Sequence, residues 1–299
     1  MHNAFLSLCG LSQYRFHEIL DTARRLKAEP KRFRDRLRHR TFALIFAPDE
    51  FRARISFEIA IHQLGGRTVR IDPEEVWSGG RPAPDVAPTL TYWTDGIAVR
   101  LADHAFAAHL AGAVDVPVIN CGSDESDPCQ GLTGVFTLRE LRKDLSRLKI
   151  AGLGLSKPGA RSWLSAAARA GSHLVLSQPP RSEPDPEDIE RALEQGRESG
   201  FRVDVIPDPA QAVHDADVIV SGASGPDAAY RIDQELLRRS NPKAVVLPWP
   251  STEGQTTISG EIFTSERCAV SEQIENRLHI QKAIVVLLYE RSCKDNGKK

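Results

Sequence analysis

Thr41-Phe42-Ala43-Leu44-Ile45-Phe46, followed by Ala47-Pro48-Asp49-Glu50-Phe51-Arg52-Ala53-Arg54-Ile55-Ser56-Phe57-Glu58, is the stretch on which the fold turns. Its first part is an apolar run without alternation, the pattern of a parallel strand buried on both faces. From Ile55 to Leu64 the apolar positions Ile55, Ile59 and Leu64, with Phe57 and Ala60 between them, predict a helix closed by Gly65-Gly66. A strand, a short loop and a helix start aim backbone N–H groups and the positive end of a helix dipole at one spot, a seat for an anion. Arg52 and Arg54 on the entry turn add fixed positive charge and forked donors. The plainer alternative is that both are surface residues of an ordinary first turn.

Outward from this stretch the pattern alternates. Gln13–Ala28 reads as a helix with Phe16, Ile19, Leu20, Ala23 and Leu26 on one side. Strands are predicted at 68–71, 96–100 and 116–120, with helices at 86–94 and 105–112 and a Gly/Pro loop at 79–84. Strand–helix alternation implies a parallel sheet covered on both faces, with ligands beyond the carboxyl ends of its strands. Arg52, Arg54, Arg100 and the 120–130 loop fall at such ends. A charged helix at 136–148 leads out of this half, and the alternation restarts. Strands are predicted at 149–153, 173–177, 201–206, 216–221 and 244–247, helices at 162–170 and 186–199, and a closing apolar helix at 273–290. Gly152-Leu153-Gly154 suggests a dinucleotide turn, but Lys157-Pro158 interrupts it and the next strand does not end on an acid. A tight turn explains the glycines equally well.

Composition narrows the classes. The chain has 299 residues, enough for two domains, and a formal net charge of -1 that gives a nucleic-acid partner no footing. The one basic run, Lys31–Arg40, reads as a solvated face, with nucleic-acid binding as its alternative. No apolar run reaches the length of a membrane span, and the first residues lack the pattern of a signal peptide. Five cysteines without CxxC spacing argue against a disulfide framework or a structural zinc, so the expectation is a cytoplasmic protein with no metal.

The order of the pieces resembles the aspartate/ornithine carbamoyltransferase family, and the ornithine branch more than the aspartate branch. Phe51–Glu58 with Gln63-Leu64-Gly65-Gly66 is similar to the family's carbamoyl-phosphate loop and helix. Asp95–Arg100 resembles its arginine-ended strand, and Asp127-Pro128-Cys129-Gln130 its His-Pro-x-Gln segment. Glu275–Ala283 resembles its closing helix. The resemblance implies two open parallel-sheet α/β domains of the transcarbamoylase type. They are an anion-binding domain over 1–140, an amino-acid-binding domain over 141–272, and a helix over 273–299 returning to the first. It further implies a homotrimer with sites between subunits, two domains that close over small-molecule substrates, and carbamoyl transfer to an amine without metal or organic cofactor. Catalysis of that kind rests on positioning and electrostatic stabilisation. Arg52, Arg100 and Arg277 would contact the anion, Arg54 aligns with a family arginine, and Gln130 matches the glutamine that holds the carbamoyl group. For Arg277 the alternative is a capping or interdomain ion pair, and for Gln130 a buried amide bonded to backbone.

Other positions depart from the family pattern. Its Ser-Thr-Arg-Thr-Arg loop is Glu50, Phe51, Arg52, Ala53 and Arg54 here, so three hydroxyls are lost. Asp127 stands where a histidine would donate to the carbamoyl oxygen, an acceptor in place of a donor. In the amino-acid half the family's aspartate falls nearest Gly222, and its His-Cys-Leu-Pro loop is Leu247-Pro248-Trp249-Pro250. The asparagine pair falls near Lys157-Pro158, with Arg161 one turn on. Arg81-Pro82 replace an acid and a serine of the neighbour-subunit loop. A carboxylate about 4 Å from a phosphate charge costs about 4 kcal/mol at an effective dielectric of about 20, about a thousandfold in affinity. Two expectations follow: an enzyme of altered specificity that does not make citrulline efficiently, or an inactive paralogue acting as a binding or partner subunit.

Overall fold

The computed structural model describes residues 4–78, 81–82, 85–142, 144–180, 182–222, 228–249 and 257–296. These fall into two compact units, one of Met1–Cys129 with Arg277–Lys299, the other of Gln130–Asn276. In the first unit the order is β1 (Ala4–Phe5), α1 (Gln13–Ala28), α2 (Pro30–Phe33), β2 (Thr41–Phe46), α3 (Phe51–Gln63), β3 (Arg67–Ile71), α4 (Pro73–Val76), β4 (Trp77–Ser78), β5 (Arg81–Pro82), α5 (Val86–Trp93), β6 (Gly96–Arg100), α6 (His104–Ala113) and β7 (Val118–Asn120). Helix α7 (Pro128–Leu141) leads into the second unit. There follow β8 (Lys149–Leu153), α8 (Lys157–Ala170), β9 (His173–Ser177), α9 (Pro186–Gln195), β10 (Arg202–Val205), α10 (Pro209–Ala212), β11 (Val218–Ser221), α11 (Gln234–Arg238), β12 (Val245–Pro248) and α12 (Gly260–Phe263). Helix α13 (Val270–Asn296) ends in the first unit.

Each unit is built on one five-stranded sheet, ordered β1-β7-β6-β2-β3 in the first and β10-β9-β8-β11-β12 in the second. All pairings in both are parallel. The inner strands β2 and β6 are buried almost throughout, as strands covered on both faces must be. Edge strands β3 and β10 carry arginines and are largely exposed, which blunts pairing with other chains. Under β2 the Phe46 and Phe57 rings tilt at 6.0 Å, tying α3 to the sheet. Phe57 is fully buried and alone contributes about 2–3 kcal/mol by leaving water.

The C-terminal half of α13 packs on the first unit. Tyr289 meets Phe42 edge-on at 6.3 Å and lies under the Arg40 guanidinium, and Arg36 pairs with Glu290 at 3.2 Å.

Several predicted boundaries shift. Helix α3 begins at Phe51, not Ile55, so Phe51–Arg54 form its first turn. Helix α7 begins at Pro128, where a loop was expected to Gln130 and a helix from 136; Pro128 suits a first helical position because its missing N–H is unpaired there anyway. Residues 145–147 form a 3-10 turn instead of continuing that helix. Helix α8 starts at Lys157, with Pro158 in its first turn.

Candidate functional site

In the first unit three strand ends converge. Strand β2 ends at Phe46 and leads to Glu50; β6 ends on Arg100; β7 ends at Asn120 and leads to Asp127. Register pairs Phe46 with Arg100 and Val99 with Asn120, so all three ends lie on one edge. Asn120 shapes the connection that follows. Its amide donates to the carbonyls of Leu6 and Ser126, and its oxygen accepts from Gly122 N–H at 2.9 Å.

Arg100 is the centre. Its Nη1 donates to Asp127 Oδ2 at 2.8 Å and to the Cys121 carbonyl, while its Nε lies 2.5 Å from Glu50 Oε2. The Nε contact is close but poorly aligned, an ion pair more than a directed hydrogen bond. All three side chains are largely withdrawn from water, at 15% exposure for Arg100, 18% for Glu50 and 11% for Asp127. Burial by itself lowers the pKa of Arg100, but the two carboxylates outweigh it and push the value up, so the cation is fixed.

Both carboxylates stand just before a helix. Glu50 holds the N-cap position of α3 yet makes no capping bond, because its carboxylate is turned to Arg100. Asp127 precedes Pro128 at the start of α7. A negative charge at a helix N-terminus is stabilised by the dipole. The strand-end position expected to receive an external anion thus holds two of the protein's own carboxylates, paired with Arg100.

The remaining candidates of this unit are spread around that centre. Arg52 is exposed on α3, its guanidinium 5.3 Å from the Phe51 ring, and has no ion pair among the described residues. Phe51 is itself 49% exposed. Ala53 is buried and its carbonyl accepts from Ser56 Oγ. Arg54 turns along its own helix and pairs with Glu58 at 3.5 Å. Arg277 is brought to α3 through Gln281, whose amide oxygen, turned towards it, accepts from Arg277 Nε at 3.2 Å while the amide nitrogen meets Ser56. Gln130 is buried in the first turn of α7.

In the second unit the ends of β8, β11 and β12 and the start of α8 come together. Gly222 N–H donates to the Leu153 carbonyl, and a Cβ on Gly222 would fall 1.8 Å from the Gly154 oxygen. A side chain therefore has no room there. Pro248 pairs in register with Ser221, and Trp249 is buried, with its indole 3.4 Å from where a Cβ on Gly159 would stand. Lys157 pairs with Asp185 at 2.9 Å, and Arg161 with Asp188 at 2.8 Å and Asp185 at 3.8 Å. The Lys157 hydrogen bond holds the Asp185 carboxyl below its ordinary range. Pro250 and 223–227 lie outside the described residues, and Arg81-Pro82 pair with Trp77-Ser78 in a two-stranded ribbon.

Sequence reasoning missed Asp185, just before α9, and Asp188 within it, the Cys121 carbonyl, and Gln281 as the link to Arg277. Only Gly122 carried a signal, as a glycine between a strand end and the Asp127 turn.

Known proteins agree with this architecture. Residues 3–140 match the carbamoyl-P binding domain of aspartate/ornithine carbamoyltransferase and 226–288 its Asp/Orn binding domain. The ornithine carbamoyltransferase of Methanoculleus marisnigri is 33% identical over 96% of this chain and 97% of its own length. That of Thermococcus kodakarensis is 32% identical over 95% of each. The structure of ornithine carbamoyltransferase from Pyrococcus furiosus superposes with a TM-score of 0.88 at 29% identity, covering 96% of both chains. Matched by family models over both parts and by relatives along nearly its whole length, this chain belongs to the aspartate/ornithine carbamoyltransferase family.

Proposed function

We propose that this chain is a carbamoyltransferase-type protein of altered specificity. It binds an amino-acid-like small molecule at the Glu50–Arg100–Asp127 seat and does not make citrulline efficiently; the acceptor of any carbamoyl transfer is an amine other than ornithine. The observation that carries this reading is the double engagement of Arg100. A phosphate dianion must displace or lie against Glu50 and Asp127, each costing about 4 kcal/mol per unit charge at about 4 Å and an effective dielectric of about 20. A ligand with an ammonium group meets the two carboxylates favourably, and its own carboxylate can turn to Arg52, which has no ion pair among the described residues. Arg277 and Gln130 are further ligand contacts in this reading, and Lys157, Arg161, Gly222, Pro248 and Trp249 form the second-substrate region. The protein is a cytoplasmic homotrimer that needs neither metal nor organic cofactor.

Calorimetric titration with carbamoyl phosphate, together with phosphate release from carbamoyl phosphate and a panel of amines, tests this. The expected result is no micromolar binding of carbamoyl phosphate alone and no appreciable citrulline from ornithine. Since the named relatives are ornithine carbamoyltransferases, tight carbamoyl-phosphate binding with citrulline formation would overturn it.

A second reading, an inactive paralogue serving as a binding or partner subunit, is favoured by the cations of the second unit. Lys157 and Arg161 are held by Asp185 and Asp188, so both half-sites carry internal ion pairs. No phosphate release with any amine of the panel, and recovery of phosphate binding on combining E50S, F51T, A53T and D127H, would favour this reading over the first.

A further inference from the structure

At the far end of α3 from Glu50 lies a cleft of about 340 Å³, bounded by α1, α2, the end of α3 and α13. Phe33 and Leu64, both buried, give it apolar walls, while Gln63, Lys31, Arg34 and Lys282 bring polar heads to it. Lys282 is the unusual member. It is only 4% exposed, its Nζ donates to the neutral Gln63 Oε1, and it forms no ion pair with any described carboxylate. An ammonium carries three donors, and a buried cation is stable only when matched by negative charge or several acceptors.

Among the described residues no carboxylate pairs with Lys282. The carbonyls closing α3 already have partners: Ile61 accepts from the N–H groups of Leu64 and Gly66, His62 from Gly65, and Leu64 from Leu37. Acids of the adjoining segments have partners of their own. Glu29 pairs with Arg32 at 3.0 Å, Asp35 with Arg34 at 3.2 Å and Glu290 with Arg36 at 3.2 Å. Lys31 has no ion pair among the described residues and stands exposed at the rim. Burial accordingly lowers the pKa of Lys282.

We propose that this cleft is a binding site for a small organic anion, an apolar body carrying one carboxylate or phosphate. The body lies on Phe33 and Leu64, and the anionic head takes the remaining donors of Lys282 with Lys31 and Arg34 at the mouth. The volume is at the lower end of the roughly 300–1,000 Å³ of small-molecule sites. The basic run at 31–40 thereby has a use in place of nucleic-acid binding. A regulatory ligand here would act on α3, whose 13 residues span about 20 Å to the Arg100 cluster.

Calorimetry on the full chain decides it, with phenylacetate and phenyl phosphate as the two anionic probes and phenethyl alcohol and inorganic phosphate as controls. At least one organic anion is expected to bind once per chain, about tenfold or more tighter than either control, and the stronger of the two identifies the head group. Lys282→Met, a neutral side chain of similar length that suits a buried position, is expected to weaken that binding about tenfold or more. Glu50→Ser is expected to leave it unchanged, which separates this site from the seat at Arg100. Should Lys282→Met fail to fold, the rim variant K31S/R34S is expected to lose about fivefold or more. No saturable binding of either anion, or unaltered binding in Lys282→Met or in the rim variant, would overturn the proposal.

Discussion

Gly122 is fitted against Arg100: a Cβ on Gly122 would stand 1.9 Å from Arg100 Nη1 and 3.0 Å from Asp127 Oδ2. Its φ of +133° is also one that side chains rarely adopt. Gly122→Ala therefore forces the guanidinium out of its bond to Asp127. The expected loss is about 1–3 kcal/mol from the backbone alone, with the clash added. Urea unfolding measures it, and an unshifted midpoint would count against the packing described.

Gly222 makes the corresponding point in the second unit. Adding a methyl there meets the backbone of Gly154, which cannot rotate aside as a side chain can. Gly222→Ala is expected to cost about 1–3 kcal/mol or more, since the ends of β8 and β11 must part. Gly222→Asp, placing an acid nearest its position in relatives, should destabilise further and not create an ornithine site. A stable Gly222→Asp protein with a new affinity for ornithine would show this wrong.

Cys121 and Cys129 are buried beside the Arg100 cluster, and burial pushes the Cys121 thiol well above its ordinary range. Thiolate is the reactive form. Iodoacetamide at pH 8 is expected to modify the exposed Cys293 in the native protein and to reach Cys121 only after unfolding. Mass mapping of the adducts checks this; early labelling of Cys121 would contradict it.

Tyr289 offers a pH test. Burial, then its hydrogen bond with Cys293, pushes its pKa up to about 12 from an ordinary 10.0. The group is an acid whose neutral form is favoured by folding. Its stabilising contribution is therefore complete below pH 10 and is lost as pH rises towards 12. Comparing the unfolding of wild type and Tyr289→Phe across this range isolates the effect: the wild type should lose more stability than the variant. Parallel curves would argue that the phenol titrates normally.

How much of this was legible depended on how local the signal was. The bounds of α1, β6 and β9 agree with those predicted, because each is a single periodic or apolar run. Strand β1 is two residues long and has no period to detect. The early start of α7 was hidden because Pro128 and Gly131 read as loop residues, yet a first-turn proline costs no hydrogen bond. Glu50, Arg100 and Asp127 could be named as candidates, but their mutual pairing depends on which way side chains turn at three strand ends. The pairing of Arg54 with Glu58 likewise depends on a rotamer that the order of residues does not give. The Lys282 cleft was invisible, since Lys282 and Gln63 are 219 positions apart.

The division of the chain has a consequence for how it is made. The second unit is one continuous segment, Gln130–Asn276, whereas the first needs its last residues, from Arg277 onwards, to be whole. On a ribosome the inner segment emerges complete while the outer one still lacks Tyr289 against Phe42 and Glu290 against Arg36. Order of birth and order of completion are thus reversed. Nascent chains arrested just after residue 276 has left the exit tunnel are expected to resist protease over 130–276 and to be cut within 1–129. Equal protection of both segments would mean that the first unit matures without its final helix.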